Sequence, residues 1–150
     1  MNSEGWFIMS AKENKALARR LYERWNKDKA TALAVIDELC ATDIVVHGGG
    51  GNEMRGIKDF KKSMGELFDA FSDFHLKIDD MVAEGDKVAA RYTWSGIHKG
   101  AFMGIPPTNK KLTVWEIDII RIAGGKFVES WARMDTLGMM QQLGLIPTPK

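Results

Sequence analysis

Residues 111–135 read KLTVWEIDIIRIAGGKFVESWARMD, two runs of alternating side chains separated by Gly124-Gly125. Alternation with period two marks a half-buried strand, and a Gly-Gly pair between two such runs marks a β-hairpin. The register of that hairpin determines what it presents. A two-residue turn puts Asp118 opposite Trp131 and Glu116 opposite Arg133, so that Asp118, Trp131, Arg133 and Asp135 look the same way. A three-residue turn with a bulge moves the register by one, bringing Arg121 and Ile117 to that face and turning Asp118 off it. Gly-Gly favours the two-residue turn.

Upstream, the same period extends back to Phe74, with turn signals at Glu84-Gly85-Asp86 and from Gly100 to Pro107. Strands are therefore expected at about His75 to Ala83, Lys87 to His98, Lys111 to Ile122 and Lys126 to Asp135. Before Phe74 the period is helical. Ser10 and Glu13 form an S-x-x-E capping box, and Leu17, Leu21 and Trp25 follow at four-residue spacing, which predicts a helix from about Ala11 to Lys27. Leu33, Ile36 and Leu39 continue helically, and Ile44 to His47 is a short β-branched strand that stops at Gly48 to Gly51. Ile57, Phe60, Met64, Leu67, Phe68 and Phe71 fall on one broad helical face. A last helix runs from Thr136 to about Leu143, ended by Gly144 and Pro147. Residues 1–10 read as disordered or an extension and 11–150 as a single domain. The fold class is α+β: a curved antiparallel sheet of about four long strands plus a short one. It wraps around three N-terminal helices to form a cone with an internal pocket, and a short C-terminal helix follows.

The chain has 150 residues with 21 Lys and Arg against 20 Asp and Glu, a net charge of +1. A domain of this length buries a sufficient core without disulfide or metal. Basic and acidic residues are interspersed, which argues against nucleic acid or an anionic membrane as partner, since both need a basic face. A small molecule is the expected ligand. One cysteine, Cys40, makes no internal disulfide and favours a reducing cytoplasm. No apolar run reaches the length of a membrane span, and Met1 to Ser10 lacks the basic start of a signal peptide. Gly48 to Gly51 lacks the lysine and hydroxyl spacing of a phosphate loop and reads as a flexible rim. Three histidines and one cysteine, far apart in sequence, suggest no metal site, and no cofactor motif is present.

The run DDMVAEGDKVAARYTWSGIHKGAFMGIPPTNKK from Asp79, then IDIIRIAGGKFVESWARMD, then LGMMQQLGLIP, resembles the SnoaL-like polyketide cyclase (ester cyclase) family. The H-x-G-x-F-x-G-I-P-P-T and E-x-W-x-x-x-D elements carry the likeness, which extends over about Lys12 to Pro147. It implies the cystatin-like α+β cone shared with nuclear transport factors, ketosteroid isomerases, scytalone dehydratases and limonene epoxide hydrolases. It also implies a cofactor-free, metal-free intramolecular aldol ring closure on a polyketide ester, with an aspartate as acid and base. That aspartate lands on Asp135. Cyclases of this kind pair it with a histidine late in the preceding strand, where this chain has Asp118 and Arg121. The strand around Asp118 also resembles the ketosteroid isomerase strand that carries an oxyanion-stabilising aspartic acid. Family members often place a cavity-facing histidine at the position of His47. Epoxide hydrolases of this fold use an Arg-x-Asp pair where this chain has Arg91 and Thr93.

Taking a proton from carbon beside a carbonyl needs a base within reach and a donor for the developing oxygen charge. A carboxyl in an apolar cavity is tuned for either role by desolvation. Asp135, Asp118 and His47 are the candidate catalytic residues. The alternative for Asp135 is a cap for the last helix, for Asp118 an exposed strand carboxylate, and for His47 a structural role. Trp94 and Trp131 with Phe68, Phe71 and Met103 form candidate flat walls for a bulky apolar or aromatic ligand. His98, in the H-x-G element, either binds substrate or holds its loop. Arg133 either holds a substrate oxygen or pairs with Glu116. Two rivals to cyclisation remain: hydrolase or isomerase chemistry on the same cone, and a non-catalytic binding or dimerisation module. The face opposite Asp118 carries Trp115, Ile117 and Ile119, which predicts a homodimer through the sheet.

Overall fold

Helix α1 (Ala11–Trp25) starts as its sequence dictates: the Ser10 hydroxyl accepts the Glu13 N–H at 3.2 Å, and the Glu13 carboxylate accepts the Ser10 N–H at 2.7 Å. In this computed structural model residues 9–48 and 52–150 are described. The expected extension at 1–8 and the glycines at 49–51 lie outside them. Helix α2 (Lys29–Leu39) is capped by the Asp28 carboxylate, which accepts the Thr31 N–H. It leads directly into β1 (Cys40–His47). A three-residue strand, β2 (Glu53–Arg55), folds back on β1 before α3 (Ile57–Ala70).

The long meander follows as β3 (Phe71–Glu84), β4 (Lys87–His98), β5 (Lys111–Ala123) and β6 (Lys126–Met134), and α4 (Thr136–Gln142) closes the chain. Phe71, expected on the third helix, is instead the first residue of β3. The sheet order is β2-β1-β6-β5-β4-β3. Two features depart from the expected antiparallel sheet. Strand β2 was not anticipated, being too short to show a period, and β1 pairs with β6 in parallel. The meander starts at the far edge, and its fourth strand arrives beside β1 running in the same direction.

Even-numbered residues of β4 and β5 face the helices. Val88, Ala90, Tyr92, Trp94, Leu112, Val114, Ile120 and Ile122 are buried there with Ala18, Leu21, Tyr22, Val35 and Ile36. Each large apolar side chain so buried contributes about 1.5 to 3 kcal/mol. The loop after β4 is tied to the end of α3, where the N–H groups of Lys99 and Gly100 both donate to Ala70 O. Gly100 sits so close that a Cβ would meet Asp69 O at 2.6 Å.

The hairpin at residues 111–135 turns on two glycines as expected, with Ala123 opposite Lys126. One step later the register slips: Ile122 faces Phe127, but Arg121 faces Glu129, which leaves Val128 as an extra residue. Beyond this bulge every partner differs by one from the simple hairpin. Asp118 stands opposite Ala132, and Ile119 opposite Trp131. The expected shared face of Asp118, Trp131, Arg133 and Asp135 is therefore not formed. Asp118 points in, while Trp131 and Arg133 fall on the outer face with Ile117 and Ile119.

Candidate active site

Between the helices and the concave sheet face lies a cavity of about 180 Å³. Trp25 of α1 and Phe60, Met64 and Leu67 of α3 form one side. Phe74, Leu76, Tyr92 and Trp94 of β3 and β4 form another. Strand β5 supplies Glu116 and Asp118, and β6 supplies Ser130, Ala132 and Met134. Val46, Gly48, Met54, Ser63 and Phe102 complete the lining. Among the described residues no Lys, Arg or His lines it. The indole N–H of Trp25 is buried without a hydrogen-bond partner.

Two carboxyls thus enter an apolar space from alternate positions of one strand, with Cα atoms about 7 Å apart by strand geometry. Asp118 is only 6% exposed. Its flanking partners on β4 and β6 are Ala90 and Ala132, whose small side chains leave its carboxyl reachable. The Tyr22 hydroxyl donates to Oδ2 at 3.0 Å and the Ser130 hydroxyl to Oδ1 at 3.2 Å. Burial raises the Asp118 pKa, and hydrogen bonds from Tyr22, Ser130 and Tyr92 offset part of the rise. Glu116 lies opposite Tyr92 on one side and Met134 on the other. Burial and then the Asp118 charge raise its pKa, against hydrogen bonding from Tyr92 and Trp94. Burial first and Asp118 second push both tyrosine hydroxyls far above their usual range, so they remain donors.

Of the residues singled out in the sequence, Asp118 and Trp94 line the cavity. Asp135 does not: its carboxylate accepts the Gly138 N–H at 2.9 Å as the N-cap of α4. His47 alternates with cavity-facing Val46 and so lies on the outer face. There it stands 3.0 Å from both Glu53 and Glu129 and stacks on Trp131 at 5.5 Å. Arg133 donates to the carbonyls of His47, Gly48 and Ala132 rather than pairing with Glu116. His98 is fully buried behind the cavity, its Nδ1 3.0 Å from the Thr108 hydroxyl, and it holds the loop after β4. Phe71 stacks on His98 and meets Trp94 edge-on, in the layer behind the lining. Phe68 packs on Phe74, and its neighbour Leu67 takes the cavity position. Met103 is exposed, and Phe102 lines the cavity in its place. Glu116, Tyr22 and Ser130 were missed. Glu116 carried a legible signal, since it shares the parity of Asp118; Tyr22 and Ser130 carried none.

Comparison with known proteins places this cavity in context. Residues 15–143 match the SnoaL-like polyketide cyclase family. Over 138 residues the chain is 31% identical to the aklanonic acid methyl ester cyclase DauD of Streptomyces sp. strain C5, covering 89% of this chain and 84% of that one. It is equally identical to DnrD of Streptomyces peucetius, which carries the same activity name, over 89% of this chain and 93% of that one. The crystal structure of AclR from Streptomyces galilaeus, assigned provisionally as a hydroxylase, superposes with a TM-score of 0.80 at 32% identity. The match covers 92% of this chain and all of that one. The cone, the carboxyl-bearing cavity and the match along most of the chain agree, and this protein belongs to the SnoaL-like polyketide cyclase family.

Proposed function

We propose that the protein closes a ring in a polyketide-like ester by an intramolecular aldol reaction, with Asp118 as the acid/base group. The observation that carries this is a buried carboxyl opening into an apolar cavity between two hydroxyl donors. The reaction moves one proton and one electron pair between atoms of the substrate, so a base, an acid and a shaped cavity suffice. A cavity lined, among the described residues, by two carboxyls and no cation suits an uncharged ester better than a free carboxylate. Trp94 and Phe74, stacked at 5.8 Å, offer flat apolar surface to a fused-ring substrate. Asp135 in this reading orders α4, and His47 with Trp131 braces the outer face.

The test is incubation with aklanonic acid methyl ester, the substrate in its relatives' names, beside the free acid. An isomeric product of unchanged mass from the ester, lost in Asp118→Asn, supports the reading. A product heavier by one oxygen places the chain with AclR instead, and no reaction in the wild type contradicts it.

We also propose that the protein works as a homodimer through the outer sheet face. Trp115, Ile117 and Ile119 stand there 50%, 41% and 40% exposed on one strand, an apolar row that no described residue covers.

A further inference from the structure

We propose that Glu116 is the second catalytic carboxyl of the cavity: it delivers a proton to the substrate oxygen while Asp118 accepts one from the substrate carbon. This rests on the ring-closure reading above. The register puts both side chains on the inner face of β5, two residues apart, and both line the same cavity. Their surroundings differ in a way that separates their roles. Asp118 has a hydroxyl donor at each oxygen, within 3.2 Å, which favours its ionised form. Glu116 lies between Tyr92 and Met134 and beside the Asp118 charge, which favours its neutral form.

Two anions this close in an apolar cavity repel, so the pair keeps one proton near neutrality, and the donors around Asp118 leave that proton on Glu116. The charged and titratable groups facing the pair are Tyr22 from α1 and Tyr92 from β4, both protonated. No cation among the described lining residues competes for either carboxyl.

The step then balances. The Asp118 carboxylate takes the proton from carbon beside a carbonyl, and the C–H electron pair becomes an enolate. The enolate carbon attacks the second carbonyl carbon, forming the C–C bond as the C=O π pair moves to oxygen. That alkoxide takes the Glu116 proton. Asp118 is left protonated and Glu116 ionised, and one proton passed between them restores the start. Tyr92, the cross-strand partner of Glu116, lines the same cavity beside that transfer. Nothing is oxidised or reduced.

The experiment combines carboxyl ¹³C NMR titration of the free protein with the pH profile of ring closure on aklanonic acid methyl ester. In wild type, Glu116 is expected to titrate above Asp118, and kcat/KM to be bell-shaped. Glu116→Gln should lower kcat about 10²- to 10⁴-fold and lose the alkaline limb. Glu116→Asp, which keeps an acid there, should restore that limb in part. In Asp118→Asn the Glu116 titration should move down toward the ordinary carboxyl range. Glu116 titrating below Asp118, or Glu116→Gln with the wild-type rate and both limbs, overturns the assignment. A wild-type rate in Asp118→Asn overturns instead the ring-closure reading on which it rests.

Discussion

The Tyr22 hydroxyl reaches across from α1 to Oδ2 of Asp118 at 3.0 Å, joining residues 96 positions apart in sequence. This contact ties the first helix to the middle of the sheet and fixes the carboxyl from the helix side, as Ser130 does from the sheet side.

Tyr22→Phe removes one of the two donors that hold Asp118 ionised. The Asp118 pKa should rise further, because the lost hydrogen bond was lowering it. The acid limb of the rate profile, which reports the ionised base, should therefore move to higher pH. Hydrogen bonds to charged groups contribute about 1.5 to 3 kcal/mol, so the midpoint of urea unfolding should also fall. A limb that stays in place would remove Tyr22 from the site.

Stability should decline as pH rises through the range where the two carboxyls titrate. Their folded pKa values, about 6 for Asp118 and about 7 for Glu116, exceed the unfolded range near 4. Between those limits the folded state binds more protons than the unfolded state, and stability then falls with increasing pH. Asp118→Asn removes one of these titrations. Urea unfolding at pH 5 and pH 8 should show a smaller loss in that variant than in wild type; an equal loss would assign the dependence elsewhere.

Asp135→Ala should cost about 1 kcal/mol through the lost cap of α4 and leave ring closure within a few-fold of wild type. A loss of turnover on the scale of Asp118→Asn, with stability unchanged, would return Asp135 to the chemistry.

Trp115→Glu places a charge in the middle of the exposed apolar row on β5. Light scattering at micromolar concentration should show the wild type at twice the chain mass and the variant at the chain mass, with cavity ligands still bound. A wild type that runs as a monomer would contradict the dimer.

Much of the fold was legible in the sequence because it rests on local signals. The capping box at Ser10 and Glu13, the helical stripe from Ile57 to Leu67 and the alternation along β4 and β5 each reflect a backbone period that tertiary contacts reinforce. The two-residue turn at Gly124-Gly125 was legible for the same reason: both glycines take positive φ, 57° and 73°, where other residues strain. From these the α+β cone follows, while the inward direction of Asp118, left open between a cavity and an exposed position in the sequence, was decided by the structure.

The site itself was decided by the tertiary structure, at Val128. A single extra residue there breaks the period of two in β6, so that Phe127 and Ser130 both face in although three residues apart, and it shifts all of the following strand by one. It turns Ser130 and Ala132 inward beside Asp118, and Trp131 and Arg133 outward beside His47. The sequence determined which residues alternate; packing of β6 between β5 and β1 determined which of them meet. Two carboxyls share one cavity because Glu116 and Asp118 obey a period of two on one strand, and Tyr22 reaches Asp118 only because the tertiary fold packs α1 over the neighbouring strands β3 and β4.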